Sequence, residues 1–544
     1  MHAVALFLSA FLLFLVEPLV GKRLLPWFGG APAVWTTCLF FFQALLLAGY
    51  AFAHGVARLR PRQQVIAYVA LLVATALQVP VAIGDRWKPV PAGDPTFRIL
   101  EILLLTIGAP YLLLSATTPL MQRWASRDAR VAAPYSLYAV SNAGALLALL
   151  TYPFLWEPKL TLDTQMTVWS ATFAVFAVIA VALAYSHRHG DRHGAEVAEH
   201  HESAREVRRA DRILWVGLAA CASGLLAATT SEMCLDISSV PFLWVLPLGL
   251  YLLTFVLAFA NVYHRNTVAV FFAASAAAAC FVTQRGPGMA ISWQIAAASL
   301  SLFFGAWLCH GELVRRTPHA SRLTEFYLLL ATGGATGTLM SLAAPLMFRG
   351  FWEFPLFLFL TAVLFLAATM SAPASRSERW VANGTILMAP VMVIVLLVWP
   401  GPGQAEKPVA DARNFYGVLH VADDVPPEAP MLRRLRNGRI LHGVQFLDPA
   451  RRMQPSSYYG ARSGIDRALR AHPKRIAGEP MRLAVIGLGT GSMAAWADAG
   501  DHMTFYEINP QVVDFAKRFF TYLKDTPAAT EIIPDRKSTR LNSS

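Results

Sequence analysis

Apolar runs of membrane-crossing length follow one another through the first 400 residues of this chain. A helix crosses the hydrocarbon core with about 20 mostly apolar residues. Runs of that kind fall near 3–25, 33–57, 64–84, 98–118, 136–156 and 165–186. After a charged stretch they resume near 213–231, 240–260, 268–284, 290–310, 324–348, 354–372 and 383–400. Only 15% of the 544 residues are charged, against roughly 25% in soluble domains, so most of the surface has to face lipid. The reading is a polytopic α-helical membrane protein of about 12–14 spans. The start, "MHAVALFLSAFLLFLVEPLVGKRLL", has no basic n-region or small-residue cleavage site and reads as a retained first span.

The spans divide into a first half at 1–186, a charged His-rich loop at 187–212 and a second half at 213–400. This division resembles the two-halved layout of major-facilitator-type transporters. The net charge of +12 sits in short clusters between apolar runs, the pattern of cytoplasmic loops rather than of a nucleic-acid surface. About eighteen Lys and Arg lie in alternate loops beginning with "RLRPRQ", against about eight in the others. The charge-rich set is read as cytoplasmic, which places the N-terminus inside. Thirteen spans then put the C-terminal part outside and an even number puts it inside.

Four acidic residues lie at or near membrane depth: Glu17, Glu101, Glu232 and Asp236. A carboxyl there is a candidate for proton or cation handling. Glu101 is close enough to its span's end to snorkel, and Glu232 and Asp236 either share a helix face or form an interfacial turn. The histidines of "HRHGDRHGAEVAEHH" (His187, His189, His193, His200 and His201) alternate with charges and read as a solvated linker rather than a metal site. The five cysteines form no CxxC pair, so no metal site or disulfide framework is expected.

Beyond a Pro/Gly linker at 401–412 the character changes. Residues 413–478 read as a small β-domain with a connecting helix, and Asn437-Gly438 is a hairpin turn. Residues 479–534 then read as a buried parallel-type strand "RLAVIG", a glycine turn "GTGSMAAWADAG" feeding a helix, strand "HMTFYEIN", helix "PQVVDFAKRFFTYL" and a third strand "TEIIP". That is the first part of a Rossmann-like α/β fold of methyltransferase type. Gly487, Gly489 and Gly491 let a ligand approach the backbone. Glu507, at the end of the second strand, is placed to bind ribose hydroxyls.

The chain resembles bacterial polytopic membrane proteins fused to a spermidine synthase-like domain. The resemblance rests on "KRLLPWFGGAPAVWTTCLFFFQ", "SEMCLDISSVPFLWVLPLGLYLL" and "CHGEL" in the membrane part. In the aqueous part it rests on "NFYGVLHV", "HGVQFL", "PSSYYGARSGI" and "LAVIGLGTGS…FYEINP". It implies a bacterial inner-membrane protein and aminopropyl transfer from decarboxylated S-adenosylmethionine, as co-substrate, to a polyamine. Its nucleoside-binding residues fall on Gly487, Gly489, Gly491, Glu507 and Gln445, and its amine-pocket aromatic on Tyr458 or Tyr459. Thr490 and Ser492 stand where the family usually has Asp and Gly. The family's catalytic aspartate falls beyond the last strand here, and 535–544, "RKSTRLNSS" with its preceding Asp, reads as a non-native tail on a truncated domain that is inactive as written. Two alternatives stay open: a transporter or scaffold with a nucleoside- or polyamine-sensing domain, and an S-adenosylmethionine-dependent methyltransferase.

Overall fold

The computed structural model describes residues 1–88, 94–125, 134–187, 207–236, 240–285, 288–318, 322–371, 375–385, 406–424 and 430–534. Six helices form the first half: α1 (His2–Leu24), α2 (Pro32–Val56), α3 (Pro61–Thr75), α4 (Pro95–Ala125), α5 (Pro134–Thr151) and α6 (Leu162–His187). Six more form the second: α7 (Arg209–Asp236), α8 (Phe242–Phe259), α9 (Arg265–Arg285), α10 (Ile291–Val314), α11 (Leu323–Met347) and α12 (Glu353–Met370). Among the described residues ten helices are long and apolar enough to cross a membrane. This is a multi-pass membrane protein.

Two spans are shorter than their apolar runs. The run at 64–84 is helical only to Thr75, because Val79-Pro80 cannot continue the helix. Gln78 there turns back onto the next helix, donating to the Leu104 carbonyl at 3.0 Å and accepting from Ala109 N at 2.8 Å. The run at 136–156 ends in a π-turn, Tyr152–Trp156, where Pro153 removes a backbone donor. The thirteenth run, 383–400, lies outside the described residues except for its first three, which end a helix over 376–385.

The two halves are built alike. In the first, α1 packs on α4, α5 and α6, and α2 on α4; in the second, α7 packs on α10, α11 and α12, and α8 on α10. Each pair has its counterpart six helices later, and the halves meet through α2 with α11 and α5 with α8. That is the pattern of two parallel repeats related by an axis along the membrane normal. The repeat extends to single residues. A Cβ on Gly144 of α5 meets the Phe7 carbonyl of α1 at 2.5 Å, and one on Gly333 of α11 meets the Val216 carbonyl of α7 at 2.5 Å. Small residues let both helix pairs close to backbone contact. "PAVW" at 32–35 likewise matches "PFLW" at 241–244, and the two tryptophans, Trp35 and Trp244, stack at 5.0 Å where the halves join.

The C-terminal part is a small sheet region. Strands β1 (Glu406–Asn414), β2 (Gly417–Asp424), β3 (Leu432–Asn437) and β4 (Ile440–Phe446) form an antiparallel meander, and the Asn437-Gly438 turn joins β3 to β4 with Gly438 at φ 58°. A second sheet, β5 (Arg482–Ile486), β6 (His502–Tyr506) and β7 (Ala529–Ile533), is parallel in that order. Helix α13 (Gly464–Arg470) connects the sheets, and α14 (Pro510–Phe519) joins β6 to β7. Leu419, Val421 and Leu435 of the meander pack in one core with Met503, Phe505 and Phe515.

Two expectations need correction here. The glycine turn feeds no α-helix: Ser492–Trp496 is one 3-10 turn and Ala497 is already extended. Asp501 ends it, drawing in Asp498 N at 2.9 Å, Met481 N at 2.7 Å and Arg475 Nη2 at 2.8 Å. Strand β5, expected to be buried, is an edge with one neighbour, β6, and its Ile486 is 43% exposed.

Candidate functional site

Two places concentrate polar chemistry. The first is inside the bundle. Glu17 of α1 is 5% exposed, and its carboxylate accepts a 2.8 Å hydrogen bond from the Tyr111 hydroxyl of α4. Pro18 follows it, and its carbonyl accepts the Tyr152 hydroxyl at 3.4 Å. One turn on, a Cβ at Gly21 meets the Trp35 ring at 3.0 Å and the Trp244 ring at 3.4 Å. Glu17 therefore sits one helical turn from the seam between the halves, held by a neutral partner. Phe42 closes over Tyr111 at 4.8 Å.

The other acidic residues behave differently. Glu101 is exposed and pairs with Arg98 at 2.6 Å. Glu232 lies near the C-terminal end of α7 and pairs with Arg439 of the β3–β4 turn at 2.6 Å; Asp236 ends the same helix. Sequence spacing cannot show the Glu232 partner, which is 207 residues away. Of the five loop histidines only His187 is described, at the end of α6; the rest lie outside the described residues. Among the described residues no group of three or more His, Cys, Asp or Glu is placed to hold a metal, and all five cysteines are free and buried.

A second polar charge centre, absent from the sequence reading, lies at the α9–α10–α12 end. Glu312 is fully buried and accepts from Arg265 Nη2 at 2.9 Å, Arg316 Nη1 at 2.7 Å and the Tyr263 hydroxyl at 3.0 Å. Arg265 also donates to Thr369 at 3.0 Å. The signal for it in sequence was the Arg–Glu–Arg set itself, which hydropathy treats as loop.

The second place is the glycine turn of the small sheet region. Gly487, Gly489 and Gly491 have φ of 87°, 56° and 81°, a left-handed backbone that other residues adopt only under strain. Glu507, 8% exposed, holds the turn to the end of β6: its carboxylate accepts Leu488 N at 2.9 Å and Asn509 N at 2.8 Å. Space is open over Gly487, whereas Gly489 lies 3.1 Å from the His442 carbonyl, measured from its would-be Cβ. Tyr458 donates to that same carbonyl at 3.1 Å. Its hydroxyl is pushed up to about 12, by burial first and by Tyr459 next. The Tyr459 ring lies tilted against it, 4.5 Å between centroids, and the Tyr459 carbonyl accepts the Trp496 indole at 2.9 Å. His442, at the rim, is held below the usual histidine range by the protein around its ring, against the pull of Glu507.

Gln445 is placed elsewhere. It is 1% exposed, and its amide is engaged from both ends, donating to the Arg452 carbonyl at 3.1 Å and Thr521 Oγ1 at 2.9 Å and accepting Thr521 N at 3.1 Å. It ties β4 to the segment after α14. The structure thus brings together the three glycines, Glu507, Tyr458 and, unforeseen, His442, while Gln445 stands behind them.

No family model and no curated protein matches the sequence. Among solved structures the chain is similar to a D-xylose-proton symporter, with 13% identity, a TM-score of 0.47, and 69% of this chain against 98% of that one. It is also similar to the inward-open xylose transporter of E. coli, at 12% identity and a TM-score of 0.43, over 69% of this chain and 96% of that chain. A POT family transporter in complex with 5-aminolevulinic acid gives 10% identity and a TM-score of 0.40, over 72% and 95%. The two-halved, major-facilitator-like architecture stands on the chain's own helix pairing.

Proposed function

We propose that the membrane part is a transporter that couples the movement of a small molecule to a proton or cation at Glu17. The observation that carries this reading is a carboxyl buried in the bundle, one turn from the seam of two six-helix repeats, with a neutral hydroxyl as its partner. A structural acid would be expected to have a cation beside it, as Glu312 has. Ionisable groups at membrane depth are expensive and are kept for ion pathways. The test is uptake by vesicles of a panel of sugars, dipeptides, amino acids and polyamines under an imposed pH gradient. Gradient-driven uptake of one class, lost in Glu17→Gln, supports the proposal. Uptake in Glu17→Gln that still follows the gradient removes Glu17 from the coupling.

A second reading concerns the sheet region, and the left-handed glycine turn favours it. The turn with Glu507 and Tyr458 is read as a nucleoside or polyamine site, sensing in a transporter or catalytic in an aminopropyltransferase- or methyltransferase-like protein. Each Glu507 oxygen has one lone pair committed to a backbone N–H and one left for a ribose hydroxyl. Calorimetry with decarboxylated S-adenosylmethionine, S-adenosylmethionine and spermidine separates these forms. Heat with none of the three removes them all.

A further inference from the structure

We infer that the small sheet region lies on the non-cytoplasmic face of the membrane and clamps the two halves together at that end. The side follows from connectivity. The N-terminus of α1 and the C-termini of α10 and α12 share one face, where Arg265 at the start of α9 meets Glu312 and Thr369. The opposite face carries the ends of α1, α7 and α9 and the starts of α2 and α12. The sheet region docks on that opposite face. Twelve helices return the chain to the N-terminal face at Met370, whereas β1 stands on the opposite face. Arg58, Arg60, Arg123, Arg209, Arg315 and Arg316 all lie at helix ends on the N-terminal face. By the charge rule that face is cytoplasmic, and the sheet region is outside.

The clamp follows from which residues the sheet region grips. In the second half, Arg439 at the tip of the β3–β4 hairpin enters between α7 and α9, donating to Glu232 at 2.6 Å and to the Thr283 carbonyl at 2.7 Å. Arg413 of β1 pairs with Glu353 at the start of α12, through Nη1 at 3.0 Å and a second nitrogen, and reaches the Gly350 carbonyl at 2.6 Å. In the first half, the α1–α2 turn is held instead by apolar contact. The would-be Cβ of Gly29 lies 2.9 Å from Ile508 Cδ1, and the Phe28 and Phe415 rings are 6.5 Å apart. Between these grips a cavity of ≈ 50 Å³ is lined by Thr36 of α2, Ser231 of α7 and Ser341 of α11 below, and by Asn414 and Phe415 above. The sheet region therefore touches both repeats at the end where they would have to part.

The grip also adjoins the glycine-turn site. Ile508 is the residue after Glu507, and Asn509, whose N–H the Glu507 carboxylate accepts, takes the Asn414 amide at 2.7 Å beside Arg413. That the clamp restrains alternating access rests on the transport reading; its side and its grip do not. A domain outside the cell also meets no cytosolic nucleoside, which weighs against the transferase form of the second reading.

The test uses the full chain in right-side-out membrane vesicles, where the buried native cysteines leave a quiet background. An impermeant maleimide should label Glu479→Cys, exposed on the sheet region, and spare Arg62→Cys, exposed in the first turn of α3. Labelling of Arg62→Cys with Glu479→Cys spared would overturn the placement. For the clamp, Thr36→Cys beneath the sheet reports opening. Its labelling should be at least ten-fold faster with Arg439→Glu, and return to the slow rate when Glu232→Arg is added. Adding Arg413→Ala to Arg439→Glu should speed it further. An unchanged rate in all of these chains would overturn the clamp, whether or not anything is transported.

Discussion

The two membrane halves share their helix pairing and differ in how each keeps a carboxylate out of water. In the second half, Glu312 is met by two guanidinium groups and a phenol. In the first, Glu17 is met by a phenol. At both Gly144 on Phe7 and Gly333 on Val216, a would-be Cβ lies 2.5 Å from the facing carbonyl oxygen. The shared packing thus runs through small residues, while the buried carboxylates differ: Glu312 is paired with cations, and Glu17 carries the proposed ion coupling.

The largest effect belongs to Glu312→Gln. Removing this charge takes the carboxylate from Arg316 and leaves Arg265 with Glu378 at 3.4 Å, in side chains that are 8% and 4% exposed. Breaking a buried pair from one side costs about 3–5 kcal/mol. Thermal unfolding in detergent should show the loss, and a change below about 1 kcal/mol would mean the cluster is solvated and the contrast with Glu17 is false.

Next come the paired glycines. Gly144→Ala and Gly333→Ala each push a methyl into a carbonyl, an overpacking cost of about 1–3 kcal/mol. The prediction is equality: both should destabilise by the same amount within about 0.5 kcal/mol. A large difference would show that the halves pack with unequal tightness despite their matching geometry.

How far the sequence revealed this molecule depends on the range of the interactions. Span positions were legible because lipid imposes a run length, and the two exceptions, at Pro80 and Pro153, follow from proline's missing donor. The Asn437-Gly438 hairpin and the left-handed glycines were legible because one or two residues determine such turns. The missing helix after Gly491 was not, since Asp501 and Arg475 end it from outside the segment. Nor was the Arg439–Glu232 pair, which hydropathy assigned to a spanning segment and a hairpin with no reason to meet. The repeat was present in the letters as "PAVW" and "PFLW", but two identities in four residues become a signal only once the tryptophans are seen stacked.

A third carboxylate, in the sheet region, gives a smaller and pH-dependent effect. Burial raises the Asp501 carboxyl, but hydrogen bonds from Met481 N, Asp498 N and Arg475 outweigh it, and the net direction is below the usual aspartate range. A depressed folded value means the stabilisation is fully present above the unfolded pKa of about 3.9. It is lost as the pH falls through the lower folded value. Asp501→Asn should cost about 1.5 kcal/mol near neutral pH and abolish that acid-dependent part. An acid-unfolding curve for the sheet region that is unaltered in Asp501→Asn would put its acid sensitivity elsewhere.

The smallest stability effect, and the sharpest test of the division, is expected at Glu17. Glu17→Gln keeps an oxygen that can accept the Tyr111 hydroxyl and removes only the capacity to carry a proton or bind a cation. The unfolding free energy should change by less than about 1 kcal/mol, because the one hydrogen bond is retained. Tyr111→Phe is the counterpart: it leaves the carboxyl in place without its donor and should cost about 1–3 kcal/mol, the penalty of an unsatisfied buried group. If the first half used its carboxylate as the second half does, the order would reverse and Glu17→Gln would be the more damaging change. Measuring both variants by unfolding in detergent, and both by gradient-driven uptake in vesicles, separates the two roles. A stable Glu17→Gln chain with uncoupled uptake assigns the residue to ion handling, whereas an unstable one assigns it to the scaffold and removes the ground for a coupling site.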